Sequence, residues 1–290
     1  MTPIFGYLDA NGVEAFSTPR PPIDHEMRSF FLCAIAEGRL IVPFSDSVAQ
    51  EIVAVAMTDP KKAEQLGRFY GKIASFDHAV GPTGAALRQA ISEALGDEGK
   101  SKFTNLSAAQ RKAARLRLVG KAHDIRTIIT DYKKATDEWV ERTRGYRETV
   151  REFMASMPER VTPMPIAEAV AGVWPGMAGE WAWRLADGVR CGERAREAKA
   201  TDEMLLAISG LRAAIGSSIG LAAAQTINAR MPRQADYGDG AYCTLAACAG
   251  IPLVTSDDNL RKLVEAIPDN PLAVISPIEL LERAGWERVT

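Results

Sequence analysis

The chain has 290 residues, with 35 Lys and Arg against 37 Asp and Glu and a formal net charge of −2. A hydrophobic fraction of 47% and a charged fraction of 25% exclude a disordered or fibrous chain, and the length suffices for one large domain or two ordinary ones. Cys33, Cys191, Cys243 and Cys248 form no C-x-x-C pair and the three histidines are scattered, which argues against a zinc site and for a reducing compartment.

The opening "MTPIFGYLDANG" lacks a basic segment followed by an apolar run, so no signal peptide is expected. The longest apolar candidate, "AAIGSSIGLAAA", is too short to cross a bilayer. The chain therefore reads as soluble and cytoplasmic, without a membrane partner. Charge is unevenly spread: residues 60–230 are net basic, most strongly over 100–151, while the two ends are net acidic.

In chain order, "IFGYLDA" predicts a first strand ending on Asp9. "IDHEMRSFFLCAIAEGR" has helical spacing, with Gly38 at its C-terminal end. "LIVPFS" predicts a second strand, and "SDSVAQEIVAVAMTD" a helix opened by cap-forming residues and carrying Glu51. Strand–helix–strand–helix order implies a parallel sheet with helices on its faces. From residue 61 to 229 long helical patterns run between proline and glycine breaks, and no strand is expected there. After residue 236 the alternation returns: helix 239–249, strand 251–255, helix 258–266, strand "LAVIS" and helix 277–284. The expected organisation is a discontinuous α/β domain, residues 1–60 and 230–290. An all-helical insertion, residues 61–229, interrupts it, and its first helix stands at the border with the core.

Functional groups of a parallel sheet collect at the C-terminal ends of its strands. Asp9 ends the first strand, Glu51 lies early in the helix after the second, Asp239 opens the helix leading into "IPLVT", and Asp257 follows that strand. Four carboxylates on one edge cannot all stay ionised without a cation. Hard oxygen donors without thiol or imidazole suit Mg²⁺ or Mn²⁺, the ions that serve phosphodiester hydrolysis. Each acid has a simpler reading too: Asp9 as a turn residue, Glu51 as a first-turn acid favouring the helix dipole, Asp236 or Asp239 as an N-cap. Asp257 and Asp258 compete to cap the "NLRKLVEAI" helix. Asp257 is assigned to the metal with Asp258 as its substitute, and Asp258 to the cap.

The stretch "DGAYCTLAACAGIPLVTSD" resembles the C-terminal signature of PIN-domain nucleases, with Asp239, Gly250, Thr255 and Asp257 in that family's order. "GYLDANGVEAF" is similar to its opening strand, with Asp9 as first acid and Asn11 just beyond. "RLIVPFSDSVAQEIV" is similar to its second strand and helix, with Glu51 as second acid. The resemblance covers a little over a third of the chain and says nothing of the helical insertion. It implies a three-layer α/β/α PIN-like fold with a parallel sheet, and a metal-dependent endoribonuclease that hydrolyses RNA through a metal-activated water. Asp9, Glu51, Asp239 and Asp257 would hold Mg²⁺ or Mn²⁺, with Asn11 and Thr255 supporting the metal or substrate. Similar proteins are toxins paired with an antitoxin, RNA-processing enzymes or defence nucleases. RNA, an inhibitory or complex-forming protein and a second copy of the chain are therefore the expected partners. Two alternatives stay open: a catalytically silent PIN-like interaction module, and a metal-dependent DNase or phosphoesterase.

Four further features bear on function. "LGDEGKS" has two residues between Gly96 and Gly99 where a phosphate loop needs four, so it reads as a helix-ending loop. "GSSIG" and the pair Trp181 and Trp183 read as packing. The run "RKAARLRLVGKAHDIR" places Arg111, Lys112, Arg115, Arg117 and Lys121 on one helical stretch, either a solvated face or a surface that neutralises phosphates.

Overall fold

In the computed structural model, which describes residues 2–120, 125–156, 165–227 and 234–287, six short parallel strands form the centre of the fold. The run expected as one strand divides into β1 (Ile4–Phe5) and β2 (Tyr7–Leu8). β1 pairs with β3 (Leu40–Ser45), which pairs with β4 (Ala74–Val80); β2 pairs with β5 (Leu253–Val254), which pairs with β6 (Val274–Ile275). Residues 4–8 thus bond to one neighbour and then the other. The Gly6 N–H donates to the Ile41 carbonyl at 3.1 Å, and the Tyr7 N–H to the Pro252 carbonyl at 2.9 Å. Successive strand residues point to opposite faces. A Cβ on Gly6 would stand 2.9 Å from Leu280 in α14 (Pro277–Arg283), whereas the Tyr7 ring lies 6.0 Å from Tyr242 in α12 (Gln234–Ala249). Helices therefore cover both faces. The fold is α/β, as expected, and compatible with three layers.

Around the first strands stand α1 (Ala10–Ser17), α2 (His25–Ala36), α3 (Asp46–Ala54) and α4 (Pro60–Ile73). Asp24 caps α2 through the Met27 N–H, and Gly38, with φ +71°, follows its end. Past β4 come α5 (Thr83–Ala94) and α6 (Ala108–Leu118); Gly96, φ +94°, lies in the loop that ends α5, as the spacing of "LGDEGKS" predicts.

The expectation of a purely helical segment over 61–229 is corrected by β4. Its sequence, "ASFDHAV", buries Phe76, Ala79 and Val80 while Asp77 is exposed. α4 ends at Ile73 and β4 begins at Ala74 with no glycine or proline between them, so the local sequence continues the helical pattern and only pairing with β3 reveals a strand. The sheet's hydrophobic core consequently extends to Leu118. There α4 meets α6 so closely that a Cβ on Gly67 would lie 1.8 Å from the Leu118 carbonyl oxygen.

Beyond it, α7 (Ile125–Ser156), α8 (Ile166–Gly188), α9 (Gly192–Glu197), α10 (Asp202–Leu206) and α11 (Ser209–Ile227) build a second apolar cluster. Trp181 stacks on Tyr146 with ring centroids 3.9 Å apart, and Trp183 donates to Asp202 at 2.8 Å; both pack, as expected. The "GSSIG" segment is a close-approach face: a Cβ on Gly220 would meet Leu263 of α13 (Asp258–Glu265) at 2.9 Å. α11 serves both clusters, with Ala213 and Leu221 in the first and Leu211, Ile215 and Ile219 in the second.

Candidate functional site

The strand order reverses at residues 4–8, between β3 on one side and β5 on the other. In parallel α/β sheets such a reversal opens a crevice beyond the strand C-termini. Asp9 leaves β2 there, and Thr255 and Asp257 leave β5. Asp9 caps α1: its Oδ1 accepts from the Gly12 N–H at 2.5 Å, and its own N–H donates to the Val254 carbonyl. The side chain is buried, and Oδ2 has no hydrogen-bond partner. Burial above all pushes the Asp9 carboxyl up to about 7, and the charges of Glu51 and Asp257 push the same way. The Gly12 N–H and the Thr255 hydroxyl counteract this, the hydroxyl from outside hydrogen-bonding geometry to Oδ2.

Glu51 sits one turn and a half into α3 and accepts a short hydrogen bond from the Tyr242 hydroxyl. Burial raises its carboxyl and that bond opposes the rise. Ser45 is the N-cap residue of α3 but makes no side-chain bond to the helix. Its side chain bonds to the Tyr7 hydroxyl at 2.7 Å and its N–H donates to the Tyr70 hydroxyl at 2.8 Å, tying helix to sheet.

Asp239 does not open its helix, contrary to expectation. α12 begins at Gln234, because "QADYG" continues the helix, and so Asp239 stands in the second turn. Its carboxyl is raised well above the ordinary range, first by burial and then by Glu51, Asp9, Asp257 and Asp236. Asp236 is buried in the first turn, where Oδ2 accepts from Gln225 at 3.0 Å. The cap assignment is likewise corrected. Asp257, not Asp258, is the N-cap of α13: its Oδ1 accepts from the N–H groups of Asn259 at 2.8 Å and Leu260 at 3.2 Å. Asp258 is the first helical residue and exposed. Thr255 is buried and accepts from the Asp257 N–H at 2.9 Å, while Asn11 is exposed in the first turn of α1.

Two tyrosines complete the cluster and escape a reading of local motifs. Tyr242 is the partner of Glu51. Tyr132 reaches in from α7, packs edge-on against Tyr237 with centroids 5.6 Å apart, and buries a hydroxyl that has no hydrogen-bond partner. Its hydroxyl is pushed up by burial and then by Glu51, Tyr237 and Asp239, so α7 lies over the acids. A signal existed: Tyr132, Thr136, Trp139, Thr143, Tyr146 and Val150 repeat at helical spacing and are all buried.

Among the described residues no three His, Cys, Asp or Glu side chains are drawn together closely enough to clasp a metal ion. The carboxylates nevertheless feel one another's charge, and like charges stay apart without a cation between them. The unpartnered Asp9 Oδ2 and an all-oxygen donor set fit a hard divalent cation better than a zinc-type site.

The basic run is largely engaged within the fold. Arg111 bonds Asp77, Asn105 and the Leu106 carbonyl, Arg115 lies 5.0 Å over the Phe76 ring, and Arg117 acts on Asp46. Lys112 is exposed, and Lys121 lies outside the described residues. No helix among the described residues is long and apolar enough to cross a membrane. Comparison with known proteins gives no match: no family model, curated protein or solved structure is similar enough to assign a family.

Proposed function

We propose that the chain is a PIN-like, divalent-metal-dependent endoribonuclease whose acids at the sheet edge hold Mg²⁺ or Mn²⁺. The observation that carries this reading is the buried Asp9 carboxylate with an unpartnered oxygen, charge-coupled to Glu51 and Asp257 at the point where the strand order reverses. Asp9, Glu51, Asp239 and Asp257 are the residues that would hold the ion. Bound there, it would neutralise the carboxylates, orient and acidify a water, and balance charge on the phosphate. The protein's own part is positioning. The Gly12 N–H fixes Asp9, the Asn259 and Leu260 N–H groups fix Asp257, and the Tyr242 hydroxyl fixes Glu51. RNA, rather than DNA or a small phosphoester, follows from the family resemblance, and substrate panels separate these.

Labelled single-stranded RNA incubated with Mn²⁺, Mg²⁺ or EDTA, beside an Asp239→Asn variant, tests the reading. Metal-dependent cleavage lost in the variant is expected; equal cleavage by both proteins removes Asp239 from the site. Mn²⁺ at about 100 times its Kd should stabilise the wild type by roughly 2.7 kcal/mol, and an Asp9→Asn variant much less. A second reading, a PIN-like interaction module without catalysis, is favoured by one observation: Tyr132 of α7 lies over the acids. Unchanged melting temperature with Mn²⁺ and no cleavage would select it.

A further inference from the structure

Beside the acids, at the C-terminal ends of β2, β5 and β6, lies a cavity of about 390 Å³ that the proposed chemistry does not use. It falls in the size range of small-molecule pockets and combines an apolar wall with a few polar groups. Pro22 and Ile278 supply apolar surface, and Asn11 and Ser256 supply polar atoms. Arg20 and Arg261 bring the positive charge. Thr255 also lines the cavity and abuts Asp9 and Asp257, so the cavity is continuous with the acidic edge.

The two guanidinium groups are exchangeable. Arg20 is largely exposed and bonds Glu14 at 3.3 Å, but Glu14 also holds Lys62 at 2.8 Å. Arg261 bonds Glu279 at 3.1 Å, but Glu279 also accepts from the Ser276 N–H at 2.5 Å. Each carboxylate keeps a partner if its arginine turns to another anion, so recruiting the arginines strands no buried charge. Two carboxylates also line the cavity: Asp258 is exposed, where its charge is screened, and Glu14 is neutralised by Lys62.

We propose that this cavity is a nucleotide subsite: it holds one nucleotide of a single RNA strand next to the phosphodiester at the acids, with Arg20 and Arg261 on phosphate and the Pro22–Ile278 wall against the base. This rests on the nuclease reading for the identity of the strand. The subsite itself needs no metal, which makes its test independent of cleavage.

The full chain in EDTA is titrated against a fluorescein-labelled octauridylate and, separately, against uridine monophosphate. The variants are Arg20→Ala/Arg261→Ala, Arg20→Glu alone, and Arg68→Ala as an exposed arginine elsewhere. Arg20→Glu exposes no core atom, so it reports even if the double variant unfolds. The expected result is octauridylate binding that Arg20→Glu and the double variant weaken by about tenfold or more and Arg68→Ala leaves unchanged. For single strands each phosphate contact contributes about 0.7 to the slope of log K against log salt, so the double variant should lose about 1.4 of that slope. No binding by the wild type, or binding unaffected by the arginine changes, overturns the subsite whatever the cleavage assay shows. Binding of uridine monophosphate without octauridylate assigns the cavity to a free nucleotide and overturns the strand reading. Binding with the expected variant pattern, but no cleavage with Mn²⁺, leaves the subsite standing and removes the nuclease reading.

Discussion

Asp9 shows how one side chain can be fixed by its backbone and unsettled by its neighbours. Its Oδ1 is tied to α1, yet its carboxyl is driven up to about 7 from an ordinary 3.8. The folded state therefore holds this proton more tightly than the unfolded chain. The associated stability is fully present below about pH 4 and is lost as pH rises to about 7. An Asp9→Asn variant does not titrate there, so in EDTA at pH 8 it should exceed the wild type by up to roughly 4 kcal/mol, the advantage vanishing at pH 4. Urea midpoints of both proteins across that range check this; a constant difference would mean that Asp9 ionises normally. The two tyrosines should behave oppositely. Tyr242→Phe removes the donor to Glu51 and should cost about 1–3 kcal/mol, whereas Tyr132→Phe removes a hydroxyl that bonds to nothing and should cost about nothing or stabilise. Equal losses in urea unfolding would show that the Tyr132 hydroxyl finds a partner. At this scale the strand ends that Asp9 and Asp257 follow were visible locally, whereas the start of the helix carrying Asp239 was not, because the helix runs back to Gln234. The sequence could not separate Asp257 from Asp258, since both occupy credible cap positions and the helix register alone decides between them.

Elements were legible where their pattern was self-contained. The small-residue helix and apolar strand of "GAYCTLAACAGIPLVT" appear as α12 and β5. β4 escaped because its evidence is a pairing with β3 rather than a local signal, and the roofing by α7 escaped because it depends on contacts far apart in sequence. The α4–α6 contact gives this scale its own test. Gly67→Ala must drive a methyl into the Leu118 carbonyl, a backbone atom that cannot rotate aside, and should cost about 1–3 kcal/mol. Gly71→Ala, one turn along the same helix, would meet only Leu118 Cδ1 at 3.4 Å and should be neutral or stabilising through helix propensity. Thermal denaturation of the pair checks the difference, and similar melting temperatures would mean that α6 moves away without penalty.

Across the whole molecule the buried apolar residues form two clusters, and α4, β4 and α6 belong with the sheet's. Because α11 buries residues in both, the clusters should melt in one calorimetric transition; two resolved transitions would show that α11 couples them weakly. The charge asymmetry was visible in composition, but its meaning was not: the arginines of the basic run are consumed by local partners that no count reveals. The split bonding of residues 4–8 has a consequence for how the chain is made. Tyr7 and Leu8 find their partners only at Leu253 and Val254, so half of the central run waits for the translation of nearly the whole sequence. At about 5–20 residues per second that wait is on the order of tens of seconds. During it the N–H groups of Tyr7 and Asp9 have no strand to bond, and an apolar segment stays open to wrong partners. Nascent chains stalled before residue 250 should therefore be strong clients of chaperones and sensitive to protease near their first residues, and should lose both properties once β5 clears the ribosome.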